Sequence, residues 1–202
     1  MEEKDYLKDI SEIKNLMNRS SQFISLSGLS GILAGVYALI GAFIAKMLLA
    51  NHESYYITLE SHTFKMMLLT AFAVLAMSVA TAAIMTYFKA QKQGENIWNK
   101  TSKRLMINFL IPLVTGGIFA LLLLRNEIYG LIAPVTLIFY GLACVNASQN
   151  TFRDVRYLGI TVIILGLIST EFSGYALEFW ALGFGFCHII YGAIMHFKYD
   201  RK

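Results

Sequence analysis

The sequence has few charged residues, and this excludes most soluble folds. Asp, Glu, Lys and Arg make up 15% of the 202 residues, whereas soluble domains carry about 25%. Hydrophobic residues make up 56%, and the mean hydropathy is +0.56. The charges cluster between long uncharged stretches. A membrane-spanning helix needs about 20 apolar residues, so the composition predicts a membrane protein with several helical spans.

The spacings typical of common enzymes are also missing. The chain has no HExxH, GxSxG, P-loop or CxxC pattern, and no apolar stretch contains two carboxylates. These patterns carry zinc, acyl-transfer, nucleotide and redox chemistry. The two cysteines, Cys144 and Cys187, lie in separate apolar stretches and indicate neither a metal site nor a disulfide framework. We therefore predict that the protein is not an enzyme.

The N-terminal region lacks the features of a cleavable signal peptide. Its first twenty residues contain five carboxylates, and the apolar stretch that follows exceeds the 7–15 residues of a signal sequence. Tyr6, Ile10, Ile13 and Met17 recur at helical spacing. Residues 1–21 are therefore predicted to form a cytoplasmic amphipathic helix. This helix could lie on the headgroups, pack against the bundle or pair with a second copy.

Six apolar stretches follow, and they predict an all-α domain of six transmembrane helices over residues 22–198, with a cytoplasmic tail at 199–202. The predicted spans are 23–49, 64–88, 105–124, 128–148, 157–172 and 175–197. The fifth covers about 24 Å at 1.5 Å per residue, less than the ~30 Å hydrocarbon core. It would need local thinning of the bilayer, or Arg156 and Tyr157 reaching the interface.

Lys and Arg lie mostly on one side of the predicted membrane. Fourteen of the 17 fall in the N-terminal segment, in the loops after the second and fourth spans, and in the tail. By the positive-inside rule, the side rich in these residues is cytoplasmic. Both ends of the chain are therefore predicted to be cytoplasmic, and this alternation holds only with six spans. The basic residues flank apolar runs instead of forming a stripe, so we expect no nucleic acid partner.

Small residues predict which helices pack closely, because helices in lipid associate through close backbone approach. The first span carries a GxxxG pair, Gly31 and Gly35, on a face of small residues. We predict that this face packs against a ridge of alanines on the second span, formed by Ala73, Ala76, Ala80 and Ala83. The alternative is a homodimer through Gly31 and Gly35.

His188 is the strongest candidate for a functional side chain. It lies near the middle of the sixth span, with Tyr191 on the same helical face. Ionisable groups at that depth are costly and usually face the bundle interior or a cavity. His188 is therefore interpreted either as a proton-responsive or ligand-binding group, or as a neutral imidazole that is hydrogen-bonded across helices.

The third span contains a second candidate site around Pro112. Proline leaves the carbonyl of Asn108 without its helical donor and favours a kink, and Thr115, Gly116 and Gly117 follow one turn later. Broken helices with free carbonyls form binding sites in transporters. The alternative is a packing kink that a neighbouring side chain satisfies.

The inner end of the fourth span carries polar residues, among them Asn146 and Asn150, followed by Arg153 and Arg156. These side chains could bind an anionic lipid headgroup or a partner, or they could simply end the helix. The candidate ligand-binding residues are therefore His188, Tyr191, Asn108, Thr115 and Asn146.

We expect neither a metal nor a cofactor. The outer loop contains metal-competent side chains, but their spacing fits no zinc pattern; they are His52, Glu53, Glu60 and His62. Haem would need a second axial ligand, and His196 lies on the same predicted helix as His188, near the interface.

Three segments resemble a family of small six-span bacterial inner-membrane proteins with no assigned activity. They are Ile111 to Gly117, Tyr140 to Ser148 with Arg156 to Gly159, and Gly183 to Gly192. The resemblance implies a multi-pass protein of the bacterial inner membrane and assigns no functional residue.

The functional prediction is a non-enzymatic sensor, regulatory or assembly component of the membrane. Its expected partners are the lipid bilayer and either a second copy of the chain or another membrane protein. The alternative is a small solute or ion transporter or channel with a site near His188 and the Pro112 kink. An intramembrane enzyme that uses His188 as an acid or base ranks last, because no nucleophile or second acid accompanies it.

Overall fold

The computed structural model describes residues 23, 25–50, 61–94 and 97–200, and within these ranges the chain forms helices and no strands. The predicted amphipathic helix at 1–21 and most of the outer loop lie outside the described residues. Six helices follow in order: α1 Gly28–Ala50, α2 His62–Lys92, α3 Lys100–Arg125, α4 Tyr129–Asn150, α5 Asp154–Glu171 and α6 Ser173–Asp200. α4 begins and ends with 3-10 turns, and α6 contains two π-helical segments, Ala181–Phe186 and His196–Asp200.

Five of these helices are long and apolar enough to cross a membrane: α1, α2, α3, α4 and α6. The predicted helical membrane bundle is confirmed at this level. α5 differs because it has 18 residues, which corresponds to about 27 Å. Three of its residues are charged, namely Asp154, Arg156 and Glu171.

Polar side chains cap the first turns of α2 and α3. The Ser61 hydroxyl accepts from the Phe64 amide at 3.2 Å and caps α2. At the start of α3, the Asn99 side chain accepts from the Ser102 amide at 2.7 Å, and the Ser102 hydroxyl accepts from the Asn99 amide at 3.1 Å. This reciprocal capping box satisfies two amides that the first helical turn leaves unpaired.

Two close helix pairs hold the bundle together, and both depend on glycine. A Cβ added to Gly141 of α4 would lie 2.6 Å from the carbonyl oxygen of Gly159 in α5, and one added to Gly159 would lie 2.7 Å from the Gly141 carbonyl. α1 and α6 approach in the same way, since a Cβ on Gly31 would lie 3.2 Å from the Gly192 Cα. α6 also packs against α4 and α5, so it joins the two pairs.

The predicted contact between the small-residue faces of α1 and α2 is wrong. Gly31 and Gly35 face α6, and α1 meets α2 through Gly41, which contacts Val74. The Tyr37 and Thr81 hydroxyls lie 3.4 Å apart across the same interface. All four alanines of the predicted ridge on α2 are exposed. Gly31 and Gly35 are covered within the chain, and this removes the alternative of a homodimer through them.

Four segments meet at one end of the bundle, which we call the junction. The Phe23 amide donates to the Asn150 carbonyl at 2.8 Å, which joins the chain before α1 to the loop after α4. The Lys89 ammonium of α2 donates to the Leu26 carbonyl at 2.8 Å and to Asp200 of α6 at 2.6 Å. At the opposite end, the structure pairs Lys46 with Glu178 at 3.3 Å and Phe64 with Tyr129, whose ring centroids lie 5.6 Å apart.

Candidate functional site

His188 lies between α6 and α4 and is hydrogen-bonded at both ring nitrogens. Its Nε2 lies 2.7 Å from the Tyr140 hydroxyl of α4, and its Nδ1 lies 3.0 Å from the Gly183 carbonyl oxygen of its own helix. The residue is 7% exposed. The geometry therefore matches the interpretation of an imidazole that is hydrogen-bonded across helices.

The partners of His188 determine where its proton lies. A carbonyl oxygen can only accept, so Nδ1 carries a proton and donates it to Gly183. In the neutral ring, Nε2 is then an acceptor and receives the Tyr140 hydroxyl proton. Since no carboxylate contacts the ring among the described residues, a charged imidazolium would be buried without a counterion, which is costly. The arrangement favours the neutral form.

Aromatic rings enclose the pair. The centroid of the Phe184 ring lies 5.0 Å from that of Tyr140 and 5.9 Å from that of His188. Phe109 of α3 lies edge-on to Tyr140 at 6.0 Å. Tyr191 packs against the adjoining apolar clusters, which contain Cys144 and Leu137. These rings replace water around the imidazole with apolar surface.

The Pro112 region is closed by α4. The Asn108 carbonyl, which loses its helical donor at Pro112, accepts from the Asn146 side-chain amide at 2.8 Å. The Asn108 side-chain amide donates in turn to Asn150 Oδ1 at 3.0 Å. The carbonyl that would form a transporter site is thus already hydrogen-bonded, and the donor is an asparagine of the neighbouring helix.

Four of the five predicted residues lie in α4 or beside it, and Thr115 lies apart from them. Asn108 binds Asn146, and the neighbouring Phe109 contacts the Tyr140 partner of His188. Tyr191 packs in the same region. Thr115 is exposed and donates to the Ile111 carbonyl of its own helix at 2.8 Å. Its hydroxyl is therefore engaged within α3, and its predicted role in ligand binding stays a prediction.

Sequence reasoning missed Tyr140 as the partner of His188 and Asn150 as the partner of Asn108. Tyr140 is a hydroxyl within an otherwise apolar span, and that was an available signal. The pairing itself joins residues 48 positions apart, which no local pattern encodes.

Two surface depressions of the described structure lie elsewhere. One is where α5 ends and α6 begins, between Phe172 and Leu182, and the other lies between α1 and α2 around Tyr37 and Gly41. Neither is lined by His188 or Asn108. Among described residues, the buried side-chain polar atom without a hydrogen-bond partner is Ser169 Oγ on α5.

The junction contains two engaged carboxylates. Asp200 Oδ1 lies 2.6 Å from Lys89 Nζ, and its Oδ2 accepts from the Gly28 amide at 2.9 Å at the start of α1. Partial burial raises the pKa of Asp200. Its hydrogen-bond and charge interactions lower the pKa by more, and Lys89 makes the largest of these contributions. The net pKa lies below the ordinary value of 3.8.

Asp154 is the second engaged carboxylate. Its Oδ2 accepts from Lys198 Nζ at 2.9 Å and from the Tyr199 hydroxyl at 2.8 Å. Partial burial raises the pKa of Asp154, and these two hydrogen bonds lower it by more, so the net pKa is below 3.8. Both carboxylates are therefore ionised at neutral pH.

No group of three or more His, Cys, Asp or Glu side chains comes together in the described ranges. Of the metal-competent side chains in the outer loop, His62 begins α2, and His52, Glu53 and Glu60 lie outside the described residues. The expected absence of a metal and of a cofactor stays a prediction.

The fold and the site define a helical membrane protein whose inward-facing polar groups bind one another across helices. Comparison of the chain with protein-family models, with curated proteins and with solved structures finds no match.

Proposed function

We propose that this chain is a non-enzymatic component of a bacterial inner membrane that acts through contacts with other membrane proteins, as a sensor, regulatory or assembly component. The observation that carries the proposal is the mutual hydrogen bonding of the candidate site residues. Both ring nitrogens of His188 are occupied, and so is the Asn108 carbonyl. A reaction or a solute path needs polar groups that can change partners, and these groups are already paired.

We propose six spans with both ends in the cytoplasm. The junction supports this topology because it joins the chain before α1, the end of α2, the loop after α4 and the end of α6. Each consecutive pair of helices therefore leaves one end of the bundle and returns to it. α5 then crosses with α6, although it is the shortest helix.

Reporter fusions test this topology. Fusions after Gln93 and after Asn150 are expected to report the cytoplasm, and fusions after Glu127 and after Phe172 the opposite side. Two adjacent sites that report the same side across α5 would reduce the span count to five and contradict the proposal.

A transporter or channel is the second candidate, and one observation favours it. The segment Ala181–Phe186 of α6 is π-helical and directly precedes His188. π-helical segments are frequent at functional sites. A change in this segment would move the Gly183 carbonyl away from the imidazole and free a ring nitrogen for a solute or a proton.

The native cysteines distinguish the two candidates. Cys144 is buried one turn after Tyr140, and Cys187 is partly buried beside His188. A charged methanethiosulfonate reagent needs water to reach a thiol. We expect both cysteines to stay unmodified in native membranes and to react after unfolding in detergent. Lys100→Cys, at an exposed position, is the positive control. Modification of either native cysteine in the folded protein would favour the transporter.

The partner-based role predicts a defined complex. The chain is extracted with its surrounding lipid into polymer-bounded discs, and the particle mass is measured. After the mass of lipid and polymer is subtracted, the protein in the particle is expected to have one fixed mass above that of a single chain. A solitary chain at native expression levels would contradict the proposal.

A further inference from the structure

The junction end of the bundle carries a surplus of positive charge that the described carboxylates do not neutralise. Asp154 and Asp200 are engaged by Lys198 and Lys89. The other cations there are exposed, and none has an ion pair among the described residues; they are Lys92, Lys100, Lys103, Arg104, Arg153 and Arg156. Such a surface attracts anions.

The hydrogen bond between Asn108 and Asn150 concentrates part of this charge at one corner. Arg104 lies one turn before Asn108 on α3, so the two share a helical face. Arg153 follows Asn150 by three residues and directly precedes α5. The 3.0 Å contact between the two asparagines therefore places an arginine on each side of the same joint. Arg156 is one turn further along α5.

The donors at this corner suit a phosphate. Guanidinium groups match two phosphate oxygens at once. Asn150 uses its Oδ1 to accept from Asn108, so its side-chain N–H groups are available as further donors, with no described partner.

The corner also lies where apolar surface begins. Ile107 of α3 is 57% exposed and Ile160 of α5 is 40% exposed, and each lies about one turn from the arginines. Trp98 is exposed and lies under the Lys103 ammonium at 5.8 Å, as aromatic rings do at a membrane interface. A ligand with an anionic head and apolar chains fits both surfaces.

We propose that the corner formed by Arg104, Asn150, Arg153 and Arg156 binds the headgroup phosphate of an anionic phospholipid, whose acyl chains lie along the exposed isoleucines of α3 and α5. The apolar flank favours a lipid over a free phosphate ion. This inference does not depend on the proposed function.

Native mass spectrometry of the full chain in detergent tests the proposal. The protein is titrated with phosphatidylglycerol and, separately, with phosphatidylcholine of the same chain length. Preferential binding of phosphatidylglycerol is expected. Since each basic residue near an anionic surface contributes about five-fold to binding, Arg104→Gln with Arg153→Gln should weaken it about 25-fold.

Arg125→Gln is the matched control, because Arg125 is exposed on the same helix as Arg104 at the opposite end. It should leave phosphatidylglycerol binding unchanged. All three arginines are exposed, so the variants should keep the wild-type melting temperature.

Three results would overturn the proposal. They are equal binding of the two lipids by the wild type, equal binding of phosphatidylglycerol by the double variant and the control, and displacement of the lipid by inorganic phosphate at matched concentration. The last would assign the corner to free phosphate.

Discussion

Gly35 has space for a hydrogen atom and for nothing larger. A Cβ at this position would lie 2.6 Å from the Gly185 carbonyl oxygen of α6 and 3.0 Å from the Ile189 amide nitrogen. Both are backbone atoms, which cannot move without separating the helices. We expect Gly35→Ala to lower the free energy of unfolding by about 1–3 kcal/mol, measured by thermal unfolding in detergent.

Gly117 of α3 provides the control for Gly35. Nothing lies within 4 Å of a Cβ added there, and alanine favours a helix over glycine by up to about 1 kcal/mol. Gly117→Ala should leave stability unchanged or raise it. Equal destabilisation by both variants would show that helix separation is not the cause at Gly35.

The hydrogen bond between His188 and Tyr140 can be tested by NMR and by mutation. The neutral imidazole should carry its proton on Nδ1, so nitrogen NMR should show a protonated Nδ1 and an unprotonated Nε2 at neutral pH. Tyr140→Phe leaves buried Nε2 without a donor, and we expect it to cost about 1–3 kcal/mol of stability. Tyr157→Phe, where the ring is 63% exposed, should cost nothing measurable. A protonated Nε2 would contradict the assignment.

α3 is a helix whose missing hydrogen bond is supplied by another helix. Pro112 lacks the amide that would bind the Asn108 carbonyl, and Asn146 of α4 supplies one instead at 2.8 Å. Because Pro112 cannot donate this hydrogen bond, the Asn146 side chain stabilises α3 in its place. Asn146 and Pro112 should therefore be energetically coupled.

A double-mutant cycle measures this coupling. Asn146→Ala alone leaves the carbonyl unpaired, and we expect it to cost about 1–3 kcal/mol. In a Pro112→Ala background, the new backbone amide can bind the carbonyl, so the same change should cost clearly less. Equal costs in both backgrounds would show that Asn146 acts through packing and not through this hydrogen bond.

α6 combines α-helical and π-helical segments around its glycines. Gly183 contacts Leu137 of α4, and Gly185 contacts Leu39 of α1. The π-helical segment Ala181–Phe186 thus lies where α6 meets two other helices. Because α6 has neighbours on two sides, its small residues must face both of them.

For the whole molecule, the junction makes stability depend on pH at the acidic end. The folded pKa of Asp200 lies below the ordinary 3.8, so its contribution is complete above that value and is lost as the pH falls through the folded pKa. We expect the difference in melting temperature between the wild type and Asp200→Asn to hold between neutral pH and about pH 4 and to shrink below it. Asp200 lies beyond the apolar stretch of α6, and its side chain is 12% exposed.

Asp200→Asn isolates this contribution. It should destabilise the protein by about 1–3 kcal/mol at neutral pH, because the Lys89 side chain is only 14% exposed and loses its charged partner. The fall in melting temperature at acidic pH should also become shallower. Asp154→Asn should have a smaller effect, since its partner Lys198 is 53% exposed. An unchanged acid profile in Asp200→Asn would assign the pH dependence to other groups.

The sequence was enough to locate the helices, because a bilayer requires long apolar runs and polar residues end them. The predicted span at 64–88 became α2 at His62–Lys92, and the one at 128–148 became α4 at Tyr129–Asn150. The sequence alone could not show which helices pack against one another. Any small-residue face can pack against any other, and the choice of α6 for Gly31 and Gly35 depends on the whole bundle. Nor could the sequence show that His188 pairs with Tyr140 or that Asn108 pairs with Asn150, because these residues lie 48 and 42 positions apart in the chain.

The contact between Gly35 and Gly185 also determines when α1 can complete its packing during biosynthesis. The glycine face of α1 enters the membrane long before its partner exists, because about 150 residues must still be translated, which takes roughly 10–30 s. During that interval, lipid or an insertion chaperone must cover the α1 glycines. Among the described helices, α1 is made first and yet completes its glycine contacts among the last, so the nascent protein is most open to mispairing while α6 is still on the ribosome.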